Sequence, residues 1–167
     1  MIPRAEHNAC VLPFHLPVNP KDLSKQIRSL ARRLGFAPVG ITTADPPEHW
    51  DFYRSWVDMG FAGEMGYLTR NLDRRADPGT LVPGARSVVR VGLNYRPEPA
   101  DEEQKGPVGR ISCYARGDDY HDVMKSRLFE LLEQTKTLSP ATEGRAYVDT
   151  GPVLERDYAS RSGLGWF

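Results

Sequence analysis

The sequence predicts an α/β (α+β) fold in which helices cover a central sheet, because predicted helices and strands alternate in the order α-β-α-β-α-β-α. Leu23, Ile27, Leu30 and Leu34 recur at the spacing of one helix face, whereas "RSVVRVGLNY" is a β-branched run typical of a strand. At 167 residues, of which 40% are hydrophobic, the chain can form one domain with its own core. The alternation leaves open whether the strands run parallel.

The first half of the chain carries clear helix boundaries. Asn19 followed by Pro20 is a good helix start, and Gly35 provides a stop. The run "FAPVGITTA" then predicts a buried strand, and Pro46–Pro47 opens a second helix, "EHWDFYRSWVDM". The glycine- and proline-broken stretch that follows predicts short helices and loops.

The second half repeats the alternation after the strand "RSVVRVGLNY". The proline- and glutamate-rich "RPEPADEEQKGPVG" predicts a surface loop, and a long helix is expected from about Asp119 to Leu138. "GRAYVDT" predicts a last strand and "PVLERDYASRSG" a last helix.

Composition and charge narrow the function classes. Residues 1–19, with four prolines among the first 20 residues, predict an irregular leader, and residues 20–167 a single domain. No stretch approaches the roughly 20 apolar residues of a membrane span, so we expect a cytoplasmic protein without a membrane partner. Formal net charge is zero, which gives no overall signature of nucleic-acid binding. Cys10 and Cys113 are isolated and fit a reducing compartment.

Common catalytic motifs are absent from the sequence. It contains no GxGxxG or GxxxxGK[ST] phosphate loop, no HExxH or His/Cys ligand cluster and no GxSxG. We therefore predict no metal ligands of the chain itself.

Two stretches are rich in functional residue types. In "YARGDDYHD" an arginine, three carboxylates, two tyrosines and a histidine fall within nine positions. Helix capping by Asp118 or Asp119 is the commoner reason for such a pattern, and His121 alone is more often a surface residue than a ligand.

The second stretch, "VDTGPVLER", places Asp149 at the end of the predicted last strand, where α/β folds usually bind ligands. A carboxylic acid at this position, partly shielded from water by Tyr147 and Val148, could act as a proton donor. Purely structural roles are the alternative to a functional site here. Asp149 or Thr150 would cap the next helix, and Glu155 and Arg156 would form an ion pair. From the residues alone, these stretches predict a cleft and an acid but no reaction.

Four stretches together resemble the epoxyqueuosine reductase family. They are "LGFAPVGITTAD", "GEMGYLTRNLDRRADPGTLVPGARSVV", "GRISCYARGDDYHDVMKSRL" with its YxRGxDYH block, and "YVDTGPVLERDYASRSGLGW", within residues 23–166 and in family order. The resemblance implies a corrinoid-binding domain related to nitroreductase-like and cobalamin-processing proteins. It also implies reduction of epoxyqueuosine to queuosine at the tRNA wobble position, with cobalamin as cofactor and tRNA carrying epoxyqueuosine as partner.

The resemblance also assigns residues. The family's catalytic acid, the aspartate of VD[ST], falls on Asp149, which protonates the departing epoxide oxygen. The positions that match the cofactor cavity are Arg75, Ser112, Tyr120, His121, Asp149 and Arg156.

The family continues past "GLGW" with cysteine-rich segments that hold two [4Fe–4S] clusters, whose ligands are not found in this sequence. We therefore expect a chain truncated at its C-terminus, whether a fragment, the product of a stopped gene or half of a split enzyme. It would need an iron–sulfur electron donor in trans. The alternatives are a non-catalytic corrinoid-binding module and an inactive remnant; a direct tRNA-binding module is favoured least.

Overall fold

The structure is a computed structural model that describes residues 19–95, 109, 111–112 and 115–166. Residues 1–18 of the predicted leader, most of the predicted surface loop and both cysteines lie outside these residues. The described elements, in chain order, are α1 (Pro20–Arg33), β1 (Val39–Thr43), α2 (Trp50–Asp58), α3 (Gly66–Thr69), α4 (Leu72–Ala76), a short 3₁₀ helix (Pro78–Thr80), β2 (Ser87–Val91), α5 (Tyr120–Leu138) and α6 (Glu155–Arg161).

Helix ends follow the local signals in the sequence. The Asn19 side chain accepts a hydrogen bond from the Lys21 backbone N–H at 2.9 Å, and Gly35, at φ 85°, follows the end of α1. Asp119 caps α5 by accepting a bond from the His121 backbone N–H at 2.9 Å. None of the helices within the described ranges combines the length and the apolar character needed to cross a membrane.

The sheet of the described residues consists of two antiparallel strands, which settles the strand direction that the sequence left open. β1 pairs with β2 in a register that places Val39 opposite Val91 and Gly40 opposite Arg90. Because side chains alternate along a strand, these two pairs lie on opposite faces.

The hydrophobic core lies on the Val39 face. Leu30, Ala31, Phe36 and Leu131 form a buried cluster, and Val39 and Val91 pack against it together with Leu34, Leu93, Met124, Leu128 and Leu138. Helices α1 and α5 therefore cover this face of the sheet.

Helix α6 covers the other face of the sheet. An added Cβ on Gly40 would lie 2.7 Å from the Cβ of Ser162, so only glycine permits this close approach. The Arg90 guanidinium pairs with the Glu155 carboxylate at 3.2 Å, and both side chains are largely buried. The predicted central sheet covered by helices is confirmed in this reduced, two-stranded form, and the helices lie on both of its faces.

Three predictions from the sequence are wrong. "GRAYVDT" forms no strand, and residues 144–150 instead run as a loop. The cap position of α6 is Leu154, which makes no side-chain capping bond, so neither Asp149 nor Thr150 caps this helix. Glu155 pairs with Arg90 across 65 residues of sequence rather than with its neighbour Arg156.

Candidate functional site

A cavity of about 250 Å³ lies where the chain leaving β2, the start of α5 and the loop before α6 meet. Leu93, Tyr95, Tyr120, Met124 and Asp149 line it. Four of these side chains present apolar or aromatic surface, and the fifth is a carboxylate. A second cavity of about 210 Å³ shares Leu93, Tyr95 and Tyr120 with the first, so the two are contiguous along this edge.

The loop before α6 holds Asp149 in an unusual backbone conformation. Its φ of 52° lies in the left-handed region, which aspartate and asparagine tolerate better than most residues. Gly151 is buried two residues later, and an added Cβ there would lie 2.6 Å from the Cγ of Tyr147. The loop is therefore a tight turn folded against the Tyr147 ring, with Asp149 at its tip.

Two side chains from the first turn of α5 reach the Asp149 carboxylate. The Tyr120 Oη donates a hydrogen bond to Asp149 Oδ2 at 2.5 Å. The Nε2 of His121 lies 3.9 Å from the same oxygen, beyond direct hydrogen-bonding distance. The two rings stack with their centroids 4.1 Å apart. The helix start thus positions one donor on the carboxylate and one imidazole beside it.

Asp119 fixes the His121 ring from its other side. The Nδ1 of His121 lies 2.8 Å from Asp119 Oδ1. The backbone N–H and the side chain of His121 together lower the pKa of Asp119, which keeps this carboxyl ionised. An ionised carboxylate only accepts hydrogen bonds, so Nδ1 must carry the hydrogen, and Nε2 is the nitrogen turned toward Asp149.

The Asp149 carboxylate is open to solvent in this arrangement. Its side chain is 53% exposed, so Tyr147 and Val148 do not shield it as the sequence led us to expect. A ligand that fills the cavity would supply the missing cover.

Three of the residues assigned by resemblance therefore meet at one place: Tyr120, His121 and Asp149. The structure does not bring Arg75 to them. Its Nη2 donates to the Tyr67 carbonyl at 3.2 Å and its guanidinium lies 5.8 Å from the centre of the Tyr53 ring, and neither tyrosine lines the cavity.

Ser112 and Arg156 are both exposed. The Ser112 carbonyl accepts a hydrogen bond from the Ala115 N–H at 3.0 Å, and Arg156 lies on α6 next to the Glu155 that pairs with Arg90. Neither residue is among those that line the two cavities.

Sequence reasoning missed the apolar wall and the support of His121. Leu93 and Tyr95 follow the end of β2. Residues that follow a strand end are candidates to line a binding site, so the sequence did contain a signal for this wall. Met124 lies one turn after Tyr120 on the same helix face. Asp119 was interpreted only as a cap, although the same oxygen also contacts the imidazole.

Comparison with known proteins shows which protein family this chain matches. The family described as "Epoxyqueuosine reductase QueG, DUF1730" matches residues 75–150, which include Tyr120, His121 and Asp149. The epoxyqueuosine reductase of Leadbetterella byssophila is 40% identical over 148 residues, which cover 87% of this chain and 48% of that protein. The chain belongs to the epoxyqueuosine reductase family. It spans about half the length of the curated relatives that it matches.

Solved epoxyqueuosine reductases share the fold. A crystal structure of one with an epoxyqueuosine-modified stem loop of tRNA-Tyr matches with a TM-score of 0.72 at 26% identity, over 89% of this chain and 40% of that one. The Bacillus subtilis enzyme, solved with its catalytic aspartate loop swung out of the active site, matches with a TM-score of 0.69 at 26% identity and the same coverage.

Proposed function

We propose that this chain provides the acid and part of the cofactor cavity for the reduction of epoxyqueuosine to queuosine in tRNA. The observation that carries this proposal is the Asp149 carboxylate at the edge of an otherwise apolar and aromatic cavity, held by Tyr120 at 2.5 Å. The backbone at Asp149 supports it, because residues in rarely populated conformations concentrate at functional sites.

The proposed substrate follows from the family. A related epoxyqueuosine reductase has been solved with an epoxyqueuosine-modified tRNA stem loop, and 89% of this chain matches that structure. The substrate class we propose is therefore a tRNA anticodon stem loop, which also makes a cytoplasmic location the expected one.

The cofactor we propose is cobalamin, and the cavity fits one part of it. Leu93, Met124 and Tyr95 form an apolar wall that would lie against a flat macrocycle. A volume of about 250 Å³ is below the roughly 300–1,000 Å³ of pockets that hold a whole small ligand, so these residues would cover one region of the cofactor only. Arg75, Ser112 and Arg156, which lie outside this wall, remain proposed cofactor contacts from the family resemblance.

When bound, cobalamin supplies electrons to the epoxide carbon. The chain's own residues orient the ligand and manage the proton. As the C–O bond breaks, negative charge develops on oxygen, and the Asp149 carboxyl donates a proton to it. Tyr120 fixes the rotamer of that carboxyl, so the proton is presented in one direction.

Electrons must reach this site from another source. The family resemblance implies iron–sulfur clusters as that source, and we propose that an iron–sulfur protein, or a further cluster domain, serves this chain.

Asp149→Asn tests the proposal. The purified chain is mixed anaerobically with cobalamin, a low-potential chemical reductant and an RNA stem loop that carries epoxyqueuosine, and queuosine is quantified by mass spectrometry of the nucleosides. Asparagine tolerates a positive φ, so the loop is preserved while the acid is lost. We expect the rate of queuosine formation to fall about 100-fold or more, with cobalamin binding retained.

Asp122→Asn, an exposed change in the first turn of α5, is the matched control and should leave the rate unchanged. Equal rates for Asp149→Asn and wild type would refute the proposed role of the acid. Cobalamin binding without any turnover by the wild-type chain would favour the alternative, a non-catalytic corrinoid-binding module.

A further inference from the structure

The stoichiometry of the proposed reaction requires a second proton. Reduction of an epoxide to an alkene breaks two C–O bonds, consumes two electrons and two protons, and releases the oxygen as one molecule of water. The electrons come from the reduced cofactor and its low-potential donor. One carboxyl group holds one proton, so Asp149 must be reprotonated within each turnover.

We propose that His121 performs this reprotonation and that Asp119 positions it to do so. This inference rests on the proposed function. The His121 imidazole is 40% exposed and lies between solvent and the cavity edge, with its Nε2 atom 3.9 Å from Asp149 Oδ2. A small side-chain rotation or one bridging water closes that gap.

The proton balance of the relay is simple. In the imidazolium form the N–H bond at Nε2 breaks and an O–H bond forms on the Asp149 carboxylate. His121 is left neutral with its hydrogen on Nδ1, where Asp119 Oδ1 accepts it at 2.8 Å. Solvent then protonates Nε2 again.

The position of Asp119 makes the relay directional. Because its carboxylate holds the hydrogen on Nδ1, the nitrogen that gains and loses a proton is always Nε2, on the Asp149 side. The described groups that face the His121 ring are the Asp119 and Asp149 carboxylates and the stacked Tyr120 phenol. A capping role alone would require only the bond from the His121 backbone N–H to Asp119.

The first test reads the His121 tautomer and needs neither cofactor nor turnover. Nitrogen-15 NMR of the imidazoles in the purified chain should show neutral His121 with its hydrogen on Nδ1. Asp119→Ser keeps a good cap but withdraws the acceptor from the ring, so the tautomer should shift toward Nε2–H. Asp122→Ser, in the same helix turn, is the control and should leave the tautomer unchanged. A wild-type His121 with its hydrogen on Nε2, or no shift in Asp119→Ser, would overturn the relay.

The second test uses chemical rescue in the queuosine assay. His121→Gln should slow turnover about tenfold to a hundredfold, and added imidazole should restore much of the rate. The His121→Gln rate should depend less on pH than the wild-type rate does. Asp149→Asn should not be rescued by imidazole, which separates the relay from the acid.

The outcomes distinguish the relay from the function on which it rests. Full activity of His121→Gln, or a slow His121→Gln variant that imidazole does not rescue, would overturn the relay. In either case, turnover by the wild-type chain would still support the proposed function. A wild-type chain that forms no queuosine would overturn both.

Discussion

Gly151→Ala should disturb the loop that carries Asp149 because the space beside Gly151 is already filled. A Cβ there would lie 2.6, 2.8 and 2.9 Å from the Cγ, Cβ and Cδ1 of Tyr147, all closer than carbon atoms approach without displacement. Rotation of the ring cannot relieve the contact with the Tyr147 Cβ, so the backbone must move. Overpacking of this kind costs about 1–3 kcal/mol, and the reduced entropy of the unfolded chain offsets roughly 0.4–1 kcal/mol.

The net loss in the free energy of unfolding is therefore about 1–2 kcal/mol, which lowers the Tm of a domain this size by roughly 2–8 °C. Thermal unfolding followed by circular dichroism measures it. Gly144→Ala is the matched control: its Cβ would meet only the Leu132 Cδ1 tip at 2.9 Å, which can rotate away. An unchanged Tm for Gly151→Ala, or an equal loss for Gly144→Ala, would refute the packing of this loop against Tyr147.

Three further changes test other parts of the structure by thermal or denaturant unfolding. Asp149→Ala should lower the free energy of unfolding by about 1–2 kcal/mol relative to Asp149→Asn, since alanine is strained at φ 52°; equal stability would contradict the left-handed backbone. Glu155→Gln leaves Arg90 partly buried without its ion pair and should cost about 1–2 kcal/mol, and a neutral result would mean that the pair does not hold α6 on the sheet. Burial raises the pKa of Tyr158 to about 12, above the ordinary value of 10.0, so its contribution to stability is complete below pH 10 and is lost as the pH rises toward 12. Tyr158→Phe should remove that alkaline loss, and an unchanged profile would show that another group causes it.

The features that the sequence predicted correctly are those set by neighbouring residues. Asn19 caps α1, Asp119 caps α5 and Gly35 ends α1, because each depends on backbone groups within a few positions. The site at Tyr120, His121 and Asp149 was found through family motifs. These motifs identify the residues of a site but do not predict the contacts between them.

The features that failed depend on backbone conformation or on packing contacts that composition does not show. "GRAYVDT" has the composition of a strand, but the positive φ of Asp149 and the packing of Gly151 on Tyr147 turn it into a loop. The pairing of Glu155 with Arg90 joins residues that only the folded sheet brings together. The apolar cavity wall was missed for the same reason, because Leu93 and Met124 meet only when α5 packs beside the chain leaving β2.

Anaerobic titration of the purified chain with cob(II)alamin tests most directly whether the cavity beside Asp149 receives the cofactor. Visible and electron paramagnetic resonance spectra should change saturably. Tyr95→Ala, at an exposed side chain of the cavity wall, should weaken binding about fivefold or more, whereas Asp149→Asn should bind like wild type. No saturable change at concentrations well above micromolar, or equal binding by Tyr95→Ala, would contradict the placement of the cofactor at this cavity.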